Sequence, residues 1–161
     1  MLLSALQRYR AGMALSPPAP RDVSIRRATQ GDLDDVWPLV SAFASTATPT
    51  KQRFAQTYTS LLDDPRTLVV VAERAGSLSG YLLAQRLNTF FDDRPVVYVQ
   101  EVMVAEGARR LGIGRALLQA AERWADGCGA AYVSLASRRA GDFYSAIGYD
   151  TAATFFKKPL D

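Results

Sequence analysis

Apolar and polar positions along this chain repeat in two periods, and the switches between them mark its elements. Val23-Ser-Ile-Arg-Arg-Ala28 alternates as a half-buried strand does. From Gly31-Asp-Leu-Asp the period lengthens to that of a helix. Leu33, Val36, Trp37, Val40 and Phe43 form one stripe, and acids occupy the first turn, where the helix dipole favours them. A second helix is predicted near Lys51–Leu62, with Phe54, Tyr58, Leu61 and Leu62 on one face, and Asp63-Asp-Pro65 stops it. The β-branched run Thr67-Leu-Val-Val-Val-Ala72 predicts a buried strand. Arg74-Ala-Gly-Ser reads as a turn and Leu78–Leu87 as the returning hairpin partner. Asn88–Pro95 is a loop carrying Phe90-Phe91, and Val96–Val104 is a long strand. Then come a Gly- and Arg-rich turn, a helix to about Asp126, a strand at Ala131–Ala136, a short helix at Ala140–Ala146 and a final strand at Thr151–Lys158. The order is β α α β β β α β α β. With one central strand–turn–helix unit, it predicts an α/β sheet that is partly antiparallel.

Composition narrows the class. The chain has 161 residues, 48% hydrophobic and 22% charged, which suits one packed domain with a substantial core. No repeat or second domain is visible, so residues 22–161 read as a single domain. No apolar run approaches a membrane span. The net charge of +3 is misleading: Arg8, Arg10 and Arg21 lie in residues 1–21, which hold no acid, and the remaining 16 Lys and Arg balance 16 Asp and Glu. A neutral body offers no electrostatic footprint for nucleic acid. Residues 1–21, with the stiff Ser16-Pro-Pro-Ala-Pro20, read as a flexible extension, with an organellar transit segment as the other option. The lone Cys128 permits no intramolecular disulfide and fits a reducing, cytoplasmic setting. The chain contains no histidine, which excludes Ser-His-Asp and Cys-His catalysis and every His-ligated metal site; no metal is expected.

The informative stretch runs from Val99-Gln-Glu-Val-Met-Val104 through Ala105-Glu-Gly-Ala-Arg109-Arg-Leu-Gly112-Ile-Gly114-Arg115 into the helix Ala116–Ala125. The two glycines clear side chains from the mouth of a helix whose first N–H groups lack partners and carry partial positive charge. Such a mouth suits a pyrophosphate, to which Arg109, Arg110 and Arg115 can add charge-assisted contacts. It is not a P-loop, since no Gly-Lys-Ser/Thr follows, and it departs from the dinucleotide fingerprint because the third glycine position is Leu117.

The spacing Arg109-x-x-Gly112-x-Gly114 after a strand resembles the hallmark of the GCN5-related N-acetyltransferase (GNAT) superfamily. A second stretch, Ala140-Gly-Asp-Phe143-Tyr144-Ser-Ala-Ile-Gly148-Tyr149, is similar to that superfamily's Ala-x-x-Phe-Tyr-x-x-x-Gly-Phe/Tyr. The resemblance spans roughly Val23 to Lys158. It implies a GNAT-like acyl-CoA N-acyltransferase fold, with a central mixed, mostly antiparallel sheet flanked by helices. It also implies acetyl-CoA, or a related acyl-CoA, as donor to an unidentified amine acceptor. On this resemblance the pyrophosphate rests on the backbone of Arg110, Leu111, Gly112, Ile113 and Gly114. The pantetheine arm pairs with Val102, Met103 and Val104 as an added strand, and a backbone N–H there faces the thioester carbonyl. Ser137 stands where the superfamily often has Asn.

Amine acylation needs a base for the ammonium and an acid for the leaving thiolate. Tyr144 stands where the superfamily places its acid, the reading the motif favours over a ring that simply caps the core. Glu101, among Val99, Val102 and Val104, is the candidate base through a water; it could equally face outward or pair with an arginine. Cys128 reads as a helix-end residue, and Leu117 with Trp124 as core spacing. Arg138-Arg139 reads either as a phosphate contact or as a solvated pair. Trp37, Phe90 and Phe91 read as core aromatics, a dimer contact or the wall of an acceptor pocket. Family analogy suggests a homodimer. The alternative from another class is a non-catalytic acyl-CoA-binding or assembly module that keeps the fold.

Overall fold

The computed structural model describes residues 22–44, 48–138 and 140–160. The expected N-terminal extension and Arg139 lie outside these residues. The chain divides into two compact units, one holding residues 19–135 and one holding the stretch from Ala136 onward.

In the larger unit five strands stand in sequence order: β1 (Val23–Arg27), β2 (Thr67–Arg74), β3 (Ser77–Leu87), β4 (Val96–Val104) and β5 (Val133–Leu135). The first four pair antiparallel as a meander, and β5 returns parallel to β4 after a helical crossover. The mixed, mostly antiparallel sheet that the resemblance implies is present. Helices α1 (Leu33–Phe43) and α2 (Lys51–Asp63) and the crossover helix α3 (Ile113–Gly127) follow the apolar stripes read above.

Strand alternation sorts side chains onto two faces. Val69, Val71 and Tyr81 pack with Val36 and Leu39 of α1 and Tyr58 of α2, and Leu83 and Met103 lean on that cluster. The alternate residues, including Val70, Ala72, Leu82 and Ala84, are fully buried on the other face. There α3 presents Ile113, Leu117, Leu118, Ala121 and Ala125, all buried, and Ile113 and Leu117 come within 3.5 Å and 3.3 Å of where a Cβ on Gly80 would stand. The result is two helices, a sheet and a third helix in layers.

The start of α1 is fastened by a polar clasp. Arg26 on β1 donates from both terminal nitrogens to the Asp32 carboxylate at 2.7 and 2.8 Å, and the Thr29 N–H and hydroxyl donate to the same group. The guanidinium holds the Asp32 carboxyl well below the usual carboxylate range.

Two expectations are corrected. The strand read at Ala131–Ala136 is only Val133–Leu135. The final strand expected over Thr151–Lys158 is not formed, and Phe155 and Phe156 are 67% and 87% exposed. Adjacent aromatics in an extended chain point to opposite faces, so no single surface can bury both. Aromatic content alone does not make a strand without a partner edge.

Candidate active site

The candidate site lies where β4 parts from β5. β4 pairs with β5 only at Val97↔Val133, Tyr98↔Ser134 and Val99↔Leu135. Against β3 the register jumps from Ala84↔Val99 to Leu83↔Glu101, so Gln100 is an extra residue, a β-bulge. Beyond it, Glu101, Val102, Met103 and Val104 keep their ladder to β3, but on the β5 side no pairing partner stands among the described residues. This half-buried stretch therefore offers backbone N–H and C=O groups along an open edge.

The chain then turns back tightly. Ala105 N–H bonds to Ser79 O at 2.9 Å, and a single 3-10 turn, Glu106–Ala108, tucks Ala108 into the core. Arg110 adopts φ 61°, rare for a residue with a Cβ, and Gly112 adopts φ 79° as the N-cap of α3. The first helical bond runs from Ala116 N–H to Gly112 O at 3.0 Å, so Ile113 and Gly114 open the helix ahead of it. The helix head is thus bare of cap side chains and stands at the end of the open β4 edge. Leu111 is exposed beside it. Arg110 is exposed, whereas Arg115 is half-buried and has a partner of its own. Arg109 Nε donates to Val104 O at 3.3 Å, which ties the turn to the strand it leaves.

Glu101 lies on the face covered by α1 and α2, because it alternates with Met103 in step with Tyr81 and Leu83. Among the described residues no arginine pairs with it: its Oε2 accepts from the Tyr81 hydroxyl at 2.6 Å. Burial, and then the charge of Glu101, push the Tyr81 phenol far above its usual range.

The second unit carries the other predicted residues. Tyr144 sits on α4 (Gly141–Ala146), half-buried, edge-on to Phe143 and Tyr149 with ring centroids 5.1 and 5.9 Å away. Burial raises its hydroxyl pKa above the usual phenol value. Its carbonyl accepts from Tyr149 N–H at 3.0 Å, and Ser145 O accepts from Gly148 N–H at 3.1 Å, with Gly148 at φ 97°. This is a Schellman helix end, which explains physically why a glycine follows Tyr144 at that spacing. Ser137 Oγ accepts from Ala140 N–H at 3.2 Å and so anchors the approach to α4. Arg138 is exposed.

A model of the acetyltransferase (GNAT) family matches residues 33–149, nearly three-quarters of the chain. The chain belongs to that family. Solved GNAT-fold relatives agree in architecture. Glucosamine-6-phosphate N-acetyltransferase from Arabidopsis thaliana is 16% identical with a TM-score of 0.78, over 86% of this chain and 99% of that one. Ribosomal-protein-alanine N-acetyltransferase from Brucella melitensis is 19% identical with a TM-score of 0.71, over 86% and 99%. The aminoglycoside N-acetyltransferase AAC(6')-Iy, solved in complex with CoA, is 17% identical with a TM-score of 0.75, over 91% and 100%. No curated protein sequence matches the chain.

Three residues not singled out in the sequence stand around the glycine turn and Glu101. Ser79 and Gly80 form a bulge in β3, where Ala72 faces Gly80 and Glu73 faces Leu78. A Cβ on Gly80 would stand 2.7 Å from Met103 O, so only glycine lets β3 approach the open part of β4. A glycine inside a predicted strand was the available signal. Tyr81, the partner of Glu101, had none in the sequence beyond its place in an apolar run. Among the described residues no helix is long and apolar enough to cross a membrane, and no group of three His, Cys, Asp or Glu could hold a metal ion.

Proposed function

We propose that this GNAT member moves an acetyl group from acetyl-CoA directly to the primary amine of a small molecule or protein. The observation that carries the reading is an edge open on the β5 side at Glu101–Val104 followed, after one tight turn, by the bare head of α3 at Gly112. A pantetheine arm carries amide groups that can pair with such an edge. A pyrophosphate suits backbone amides at Ile113 and Gly114, with Arg110 and Arg115 adding charge. The CoA bound to one structural relative supports the same donor here. Residues 22–161 are proposed as one catalytic domain, since the family match runs across the break at Ala136.

In the proposed reaction the amine first loses a proton to Glu101 through a water. Its lone pair then attacks the thioester carbonyl; the C–N bond forms and a β4 backbone N–H steadies the oxyanion. The C–S bond breaks, Tyr144 gives its proton to the thiolate, and the second proton of the acylated nitrogen returns to the tyrosinate; the acid role is supported by its place in the Phe143-Tyr144 motif and by a hydroxyl kept protonated by burial. Ser137 is proposed near the donor only through its backbone stretch, because its hydroxyl already accepts from Ala140.

The test is release of free CoA thiol from acetyl-CoA, with an amine panel containing an aminoglycoside, glucosamine 6-phosphate and a peptide bearing a free N-terminal amine and a lysine. Turnover with at least one amine, lowered tenfold or more in Tyr144→Phe (about 1.4 kcal/mol of barrier), is the expected result. Tight CoA binding without any turnover would instead mark a binding module.

A further inference from the structure

Glu101 is a flexible carboxylate placed where its strand changes course, just past the bulge at Gln100 and the parting from β5. A free glutamate side chain there would sample many rotamers, and a base that wanders loses much of its rate advantage. One contact restrains it. The Tyr81 hydroxyl donates to Oε2 at 2.6 Å, the short range of a bond to an ionised oxygen.

Tyr81 is itself fixed. It is 2% exposed, lies opposite Met103 and diagonal to Glu101 across β3 and β4, and packs in the cluster of Val36, Leu39, Tyr58, Val69 and Val71. Phe43 at the end of α1 meets its ring edge-on at 6.5 Å. Packing therefore sets where the hydroxyl stands. The same cavity would accept a phenylalanine ring without burying a polar group, so the oxygen serves something other than core filling. Among the described residues its one hydrogen-bond partner is the Glu101 carboxylate. Burial and the neighbouring Glu101 charge keep the phenol protonated, so toward the carboxylate it stands as the donor.

We infer that Tyr81 is a positioning residue for acetyl transfer: its buried hydroxyl holds Oε2 of Glu101 so that Oε1 is turned toward the incoming amine or its bridging water. This inference rests on the reading of Glu101 as the base. The bond leaves one carboxylate oxygen for proton transfer and fixes its direction from the rigid centre of the sheet.

The experiment is a double-mutant cycle of Tyr81→Phe and Glu101→Gln, with acetyl-CoA and an amine from the panel above that turns over. Tyr81→Phe is expected to lower kcat about tenfold, with KM for acetyl-CoA and its Kd within about twofold. In the Glu101→Gln background the same change is expected to cost nothing further, because a tether without a base to hold has no effect. Far-UV circular dichroism verifies that each variant is folded. If Tyr81→Phe leaves kcat unchanged, or if the two losses multiply, the positioning role is overturned while the base assignment stands. If Glu101→Gln alone keeps full kcat, the base assignment falls and this inference falls with it.

Discussion

Single side chains in this protein act through what their neighbours leave them. Tyr58 shows this in a group remote from the chemistry. Its hydroxyl donates to Thr29 O at 2.9 Å, and burial pushes its pKa up to about 12. In the unfolded chain the phenol titrates near 10. The folded form therefore keeps its proton longer, so this group's contribution is complete below pH about 10 and is lost as pH rises toward 12. Denaturant unfolding at stepped pH should show a loss on the order of 2 kcal/mol across that window. Tyr58→Phe is expected to be less stable than the wild type near neutral pH, by about 1 kcal/mol for the missing bond, and to show a shallower alkaline decline. Identical pH profiles would refute the assignment. Arg110 makes the complementary point. A residue with a Cβ at φ 61° is costly, and its place one step from the site fits a turn held in shape by Arg109 on Val104 O and Ala108 in the core.

Elements were more legible than their interruptions. The helical stripes, the Ala75-Gly76 turn and the long strand β4 all followed from period and turn chemistry. The bulges at Gln100 and Ser79 did not, because a bulge changes register without changing which residues are apolar. The Glu101 candidate could be read from the sequence, whereas its partner could not, since register across the bulge decides which β3 residue lies diagonal to it. The false strand at Thr151–Lys158 failed for a related reason: composition is local, and a ladder needs a neighbour. Gly80 tests the element-level account. Gly80→Ala would bring a Cβ against Met103 O and the Leu117 side chain. A cost of about 1–3 kcal/mol in denaturant unfolding is expected, together with weaker acetyl-CoA binding as β4 is pushed outward. Unchanged stability would show that the two strands have slack at this point.

At the scale of the whole molecule, donor binding and folding should be linked. A ligand that grips only the folded chain stabilises it by about 2.7 kcal/mol at a hundred times its Kd. CoA should therefore raise the thermal midpoint of the wild type in a concentration-dependent way. Gly112→Glu should lose that response, since it adds a Cβ at φ 79° and an anion at the helix head. A preserved shift in that variant would dismantle the site proposed here. The short pairing of β4 with β5 has one more consequence. Four residues whose β5-side edge has no partner among the described residues, about 13 Å long, can be extended by any stretched peptide, including one from a second molecule of this protein. A thioester lying along that margin would shield it, so preparations stripped of donor should clump sooner than those kept saturated.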